Sequence, residues 1–292
     1  MRLVKPSPTM VVALLALVAG GLLGCGTGTS GPAAAAPTAA AAQTYTQISS
    51  GDGYSCGLTK AGHLVCKGYN AHGQTNVPNG TYRVVDAGPF SLTCALTTAA
   101  RPRCWGFGAP SAKRVPSGTF TQIAADGSPC ALTSSQRVRC WGGGKAPTGT
   151  FKRISGGDGV WCGLTPTGGL RCWGAAVSSV IAPPKGTFTD LSLKYDFACA
   201  VEAGGNIRCW GDAQWGRTTP PPGTFSHVSV GARNACALTR TGKTVCWGYP
   251  NSSLMKNVPD APLKQIALGN THACGLTRAG TAVCWGTTRK LL

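Results

Sequence analysis

Seven pairs of cysteines, each pair separated by nine residues, punctuate this chain: Cys56 and Cys66, Cys94 and Cys104, Cys130 and Cys140, Cys162 and Cys172, Cys199 and Cys209, Cys236 and Cys246, and Cys274 and Cys284. The first members of successive pairs stand 38, 36, 32, 37, 37 and 38 residues apart. A near-constant period of this length means an array of supersecondary units whose length differences fall in loops. Within one unit, Cys130 to Gly142 reads CALTSSQRVRCWG. Counting inward pairs Cys130 with Cys140, Leu132 with Val138 and Ser134 with Gln136 about a reversal at Ser135. Directly opposed residues of antiparallel strands lie roughly 4.5–5.5 Å apart, a separation a disulfide can span. The spacing therefore predicts seven disulfides, each closing its own hairpin. On the other face Ala131 opposes Arg139, and this period-2 alternation marks strand rather than helix.

Each unit opens with a further short strand, such as Thr119–Ile123 or Thr150–Ile154, usually after a Pro-x-Gly or Pro-Gly turn. These β-branched and aromatic segments after a breaker read as strands. The second cysteine strand ends in Trp-Gly in six units (Trp105, Trp141, Trp173, Trp210, Trp247, Trp285), with Lys67 replacing the ring in the first. A large ring once per unit at a strand end predicts a wedge between neighbouring units. With 42 Gly, 20 Pro and only 12% charged residues, the composition favours turns and buried strands over helices. The expected fold is all-β, a seven-bladed β-propeller built from seven repeats with one disulfide inside each blade. The period is about that of a four-stranded blade, and nothing in the first or last unit shows how the ring closes.

The pattern CALT-x-x-G-x-V-x-CWG, seen in Cys56–Gly68, Cys236–Gly248 and Cys274–Gly286, resembles the regulator-of-chromosome-condensation repeat, and Gly269–Cys274 is similar to that repeat's G-x-x-H-x-C approach. The loop Asn70–Pro78 is similar to the N-x-x-G-Q-x-x-V-P loops of β-lactamase inhibitory protein II, in a secreted bacterial branch of the superfamily. The resemblance covers residues 45–292 and implies the propeller fold. It implies no activity, since only the last unit keeps the His of the approach, and no nucleotide-exchange residues carry over.

Residues 1–24 read as a lipoprotein-type signal peptide: Arg2 and Lys5, then an apolar run from Met10 to Leu23 too short to span a membrane. Leu22-Leu23-Gly24-Cys25 resembles a lipobox, which predicts lipidation of Cys25 and a membrane anchor. Residues 25–43, rich in Gly, Ala, Pro and Thr, read as a flexible tether, and residues 44–292 form the propeller. The expected location is the bacterial cell envelope, lipid-anchored at the outer membrane or at an extracytoplasmic face. Export suits fourteen paired cysteines.

The chain has 27 Lys and Arg against 9 Asp and Glu, a net charge of +18, of which +16 remains once Arg2 and Lys5 are removed with the signal. So few carboxylates argue against a paired-carboxylate enzyme. Gly53–Gly57 matches the G-x-S-x-G nucleophile pattern, but Ser55 leads into a cysteine strand rather than a helix. Asp196 and Glu202 are the nearest thing to catalytic acids. Four scattered His and no C-x-x-C pairs predict no metal site, and no cofactor is expected.

Two sets of side chains remain for binding. Arg103, Arg139, Arg171 and Arg208 share one slot in four successive blades and suit either a structural role beside the Trp or an acidic ligand. The loops that differ between copies offer Tyr54, Trp161, Tyr195, Phe197, Arg233 and His272 before the first cysteines. Beyond the Trp-Gly they offer Tyr69, His72, Phe107, Trp215, Arg217 and Tyr249. Tyr, Trp and Arg are the residue types of protein-binding hot spots. The expectation is a monomeric, non-catalytic binding module with a protein partner. Inhibition of an exported enzyme such as a β-lactamase, and binding of an acidic or polyanionic ligand such as a cell-wall polymer, are the alternatives.

Overall fold

The structure is a computed structural model that describes residues 43–108, 115–125, 127–174, 180, 182–287 and 291–292. The expected signal peptide, Cys25 and the expected tether up to residue 42 lie outside the described residues. Ala42–Leu292 form one compact unit, built from seven three-stranded antiparallel sheets.

Each blade runs from an inner strand through a middle to an outer strand. The inner strands are Gln47–Ser50, Tyr82–Ala87, Phe120–Ala124, Arg153–Gly157, Phe188–Lys194, Phe225–Val230 and Leu263–Leu268, and together they line a central channel. The middle strands, Tyr54–Leu58, Leu92–Thr97, Cys130–Thr133, Val160–Leu164, Phe197–Glu202, Asn234–Thr239 and His272–Thr277, are buried along almost their whole length. The outer strands are Leu64–Gly68, Pro102–Gly106, Val138–Cys140, Leu170–Gly174, Ile207–Gly211, Thr244–Gly248 and Ala282–Gly286. Among the described residues each blade thus has three strands where its period has room for four. The stretch after the Trp-Gly is rich in Pro and Gly, and Pro cannot donate to a ladder.

The hairpin register is the one the cysteine spacing predicts. Cys130 pairs with Cys140, Ala131 with Arg139 and Leu132 with Val138. All seven expected disulfides form within their blades, joining Cys56 to Cys66, Cys94 to Cys104, Cys130 to Cys140, Cys162 to Cys172, Cys199 to Cys209, Cys236 to Cys246 and Cys274 to Cys284, with Cα atoms 4.0–4.1 Å apart. The two ends of each bridge differ in surroundings. The first cysteine lies on a middle strand and is fully buried. The second, which is Cys66, Cys104, Cys140, Cys172, Cys209, Cys246 or Cys284, lies on an outer strand and is only half-buried. Each bridge therefore ties the more exposed edge strand to the core of its own blade.

Blades are joined by one repeated bond. The residue that opens each inner segment donates its N–H to a carbonyl in the hairpin turn of the preceding blade. The pairs are Tyr82 to Gly62, Phe120 to Ala100, Phe151 to Gln136, Phe188 to Gly168, Phe225 to Gly205, Leu263 to Gly242 and, closing the ring, Tyr45 to Gly280, all at 2.7–2.9 Å. The accepting residue sits in the left-handed region, which five Gly meet without strain and which Ala100 and Gln136 adopt at φ 61° and 63°. Closure therefore exchanges no strand between first and last units: the seventh joint copies the other six, with a bridge between Thr44 and Thr281 beside it.

Between blades lie seven apolar clusters, one per interface. The Trp rings pack into six of them, as predicted for wedges. At the interface of blades 7 and 1, where Lys67 supplies no ring, Leu291 packs with Tyr45, Ile48, Cys274 and Leu276 instead.

The channel is sealed by side chains reaching sideways. One slot of the inner strands holds Gln47, Val84, Gln122, Arg153, Asp190, His227 and Gln265. Gln47 both donates to and accepts from the Val85 backbone, and Gln122 does the same at Ile154 and Gln265 at Ile48. Arg153 Nε donates to the Leu191 carbonyl, Asp190 accepts from the Val228 N–H and His227 Nε2 lies 3.2 Å from the Ile266 carbonyl oxygen. Val84 cannot reach across, and there Asp86, two residues on, accepts from the Ala125 N–H at 2.7 Å. Every joint is thus bridged, which satisfies backbone groups that the channel would otherwise leave unpaired.

Candidate functional site

The two loop sets that differ between copies share one face. Inner strands end where the loops to the middle strands begin, and outer strands return to that same end. The residue after the Trp-Gly donates to the loop before the first cysteine: Tyr69 to Gly53, Phe107 to Ser91, Asp212 to Asp196, Tyr249 to Arg233 and Thr287 to Thr271, at 2.8–3.0 Å. This end is termed the upper face; the disulfide-closed hairpins turn on the lower one.

The exposed large apolar side chains among the described residues are Tyr69, Phe90, Phe107 and Trp215, at 38–57% exposure, and all four lie on the upper face. They fall into three groups. Over blades 1 and 2, His72 lies edge-on between Tyr69 and Phe107, with ring centroids 6.2 and 4.9 Å away. Over blades 5 and 6, Trp215 meets Tyr249 edge-on at 5.7 Å, and the exposed Arg233 guanidinium lies 5.2 and 5.7 Å from those two rings. Cation–π contact keeps such a patch both apolar and charged.

The third group closes the channel mouth. Lys194 stands where five other blades have Gly51, Gly88, Gly157, Gly231 and Gly269. Its ammonium crosses from blade 5 to donate to the Ser50 and Leu268 carbonyls, both at 2.7 Å. Burial pushes the Lys194 amine below its ordinary value, and Asp52 and Asp86 oppose that shift. Next to it, Tyr195 donates to the Asp52 carboxylate at 2.5 Å and meets Phe90 edge-on at 5.9 Å. Burial, then the Asp52 charge, raises the Tyr195 phenol, so it remains a donor. Phe90, Tyr195 and Trp215 all hold left-handed backbones, φ 60°, 56° and 58°, a strain that bulky residues carry mainly at functional positions.

The structure corrects four of the expected contact residues. Tyr54, Trp161, Phe197 and His272 are buried, at 0–3% exposure, because the middle strand beside the first cysteine is core on both sides. Tyr54 donates its hydroxyl to the Leu92 carbonyl at 2.8 Å, and Trp161 packs between blades 3 and 4. Arg217 is also buried. It pairs with Asp196 and Asp212 and donates to the Ala232 carbonyl, so it is a post that holds the Trp215 loop. Phe90 was missed, although it precedes Cys94 by four residues just as Tyr195 precedes Cys199.

The Trp side chains hold the face loops from below. Trp105, Trp210, Trp247 and Trp285 donate their indole N–H to Gln74, Val180, Arg217 and Leu254 carbonyls in the loop arriving from the preceding blade. Trp105, Trp141, Trp247 and Trp285 are buried and Trp173 and Trp210 half-buried, and all six pack at blade interfaces rather than as open stacking platforms. The arginine slot is occupied structurally in three blades: Arg103 and Arg171 donate to the Asn79 and Thr148 carbonyls, and Arg208 pairs with Glu202.

Ser55 and His272 form an arrangement resembling an activated nucleophile. The Ser55 hydroxyl lies 2.9 Å from His272 Nε2 and 2.9 Å from the Ser50 hydroxyl. Both Ser55 and His272 are buried, and burial, reinforced by the Lys194 charge, depresses the imidazole to about 4. The channel below encloses about 180 Å³, less than the roughly 300–1,000 Å³ of an ordinary small-molecule site.

The regulator of chromosome condensation (RCC1) repeat matches residues 45–74 and 263–288. The chain carries RCC1-type repeats. Its propeller is similar to the ectodomain of the receptor kinase CR4 from Physcomitrella patens, with 24% identity, a TM-score of 0.69, and 82% of this chain and 72% of that one covered. The CRINKLY WD40 ectodomain of the Arabidopsis thaliana receptor kinase ACR4 matches with 26% identity and a TM-score of 0.67, over 82% of this chain and 93% of that one. The C-terminal domain of gp131 from bacteriophage phiKZ matches with 10% identity and a TM-score of 0.53, over 84% and 92% of the two chains. No curated protein matches the sequence.

Proposed function

We propose that this chain is an exported, lipid-anchored, non-catalytic binding module of a bacterial cell envelope, and that its upper face takes a protein partner. The observation carrying this reading is that Tyr69, Phe90, Phe107 and Trp215 are all exposed on one face, interleaved with Arg233 and with Asp52, Asp158 and Asp196. Aromatic anchors with a polar surround are the anatomy of a protein interface. The relative ACR4 is described as an ectodomain, and seven disulfides suit an oxidising compartment here too. The lipobox-like Leu22–Cys25 supports the anchor. Non-catalysis rests on chemistry: Ser55 and His272 are buried, and Asp86 and Asp190 are already committed to backbone amides.

Two measurements test the reading. Intact mass of the mature protein should place acyl chains on Cys25; an unmodified Cys25 would remove the anchor. A photo-crosslinking residue in place of Phe107 should capture a discrete envelope protein, whereas the same residue in place of Arg137 on the lower face should not. Equal capture from both faces would contradict the assignment. If the captured protein is an exported hydrolase whose turnover falls on binding, the module is an inhibitor.

A further inference from the structure

Charge on the described residues is divided between the two faces. The hairpin turns of the lower face carry Lys60, Arg101, Arg137, Arg240, Lys243 and Arg278, all exposed. Among the described residues none of these six enters an ion pair. They belong to blades 6, 7, 1, 2 and 3, an unbroken arc through the ring closure. The hairpin turns of blades 4 and 5 hold no cation, although exposed Lys152 and Lys185 precede the inner strands of these two blades on the same side, and Glu202 of blade 5 is paired with Arg208. Asp260, three residues before the inner strand of blade 7, is the other acid towards this side.

The chain enters the propeller inside this arc. Thr44 bridges to Thr281 in the hairpin of blade 7, and Tyr45 donates to Gly280 in the same turn. Thr44 stands nineteen positions after Cys25, so the entry point can lie at most about 65 Å from Cys25 even with the chain extended.

We propose that the lower face docks on an anionic phospholipid surface, turning the upper face away from the membrane. The orientation rests on the lipid-anchor reading; the affinity of the arc for lipid does not. The arc presents separated point charges on a ring of turns, which suits a plane of anionic headgroups, each basic residue strengthening attachment about fivefold. A single-stranded nucleic acid would call for aromatic platforms among the cations, and the exposed Tyr, Phe and Trp rings of the described residues lie on the opposite face.

Residues 43–292 contain the twenty-one described strands, the seven disulfides and the ring-closing bonds within one compact unit, so this part folds as a unit and tests the surface without the anchor. The probe is co-sedimentation with vesicles of equal parts phosphatidylglycerol and phosphatidylcholine. Binding should exceed that to pure phosphatidylcholine and weaken as salt rises. Lys60→Gln with Arg278→Gln should weaken it about twenty-five-fold, whereas Lys67→Gln with Lys256→Gln away from the arc should leave it within about twofold. Should the first pair disturb folding, seen as a lowered thermal midpoint, Arg240→Gln alone should still weaken binding about fivefold. Binding that is equal on pure phosphatidylcholine, insensitive to salt, or equally reduced by both pairs would overturn the proposal. So would a short DNA duplex that binds more tightly than the vesicles and displaces them. An unmodified Cys25 alongside intact vesicle binding would sink the anchor and leave the arc standing.

Discussion

Lys194 and His272 show how single residues close the centre of the ring. The Lys194 ammonium spans one end of the channel, donating to a carbonyl of each of two other blades. Replacing it with Met leaves Ser50 and Leu268 carbonyls unpaired and strips the nearby Asp52 and Asp86 of a cation. Lys194→Met should therefore destabilise the domain by about 2–4 kcal/mol, read from chemical denaturation; an unchanged midpoint would mean the lysine is incidental. His272 is buried neutral, with its folded value near 4 against an ordinary 6.5. A group depressed on folding takes up its proton more readily when unfolded, so its contribution is fully present above pH 6.5 and is lost as pH falls towards 4. The loss is on the order of 3 kcal/mol. His272→Gln should flatten the stability–pH curve across that window, and a curve as steep as the parent's would reject the assignment. Asp190 acts lower down. Burial alone would raise its carboxyl, but His227, Arg153 and the Val228 amide together hold it well below the usual carboxylate range, so its contribution persists until pH drops beneath the ordinary carboxylate value.

At the scale of the element, the hairpin is the unit that the cysteines define. Closing an 11-residue loop restricts the unfolded chain by about 3 kcal/mol in the entropy model. Non-reducing peptide maps should recover seven intra-blade bridges, and free thiols at these cysteines would contradict them. The Trp ties make a second prediction. Trp247→Phe keeps the ring in its cluster but leaves the Arg217 carbonyl without the indole N–H. It should cost about 1–2 kcal/mol and raise amide exchange in Arg217 and Thr219, with little change in blade 2. Strand order, register and disulfides were legible in the sequence because they rest on a spacing and an alternation that repeat. The inner slot was not, because Gln47, Gln122, Arg153, Asp190, His227 and Gln265 perform one task with different chemistry. Ring closure stayed hidden for a related reason: the joint is a backbone bond common to all units, and Leu291 replaces a Trp it does not resemble.

For the whole molecule, the propeller converts loops far apart in sequence into one surface. Sequence comparison among the seven units placed the functional weight on the loops that disagree, and the fold brings both loop sets to one end. It could not tell which of their residues reach the surface. The residue beside each first cysteine faces the core, which buries Tyr54, Trp161, Phe197 and His272, while Phe90 and Tyr195, four residues before a cysteine, stand at the loop tips. Phe107 and Trp215 are the most exposed rings and belong to separate clusters, so their effects on a partner should be nearly additive. The most direct measurement is the affinity of a captured partner for the Phe107→Ser, Trp215→Ser double variant, beside an Arg139→Ser variant on an outer strand. An upper-face interface predicts a loss of at least about a hundredfold for the first and less than about threefold for the second, at unchanged folding stability. The reverse pattern, or an equal loss in both, would contradict it.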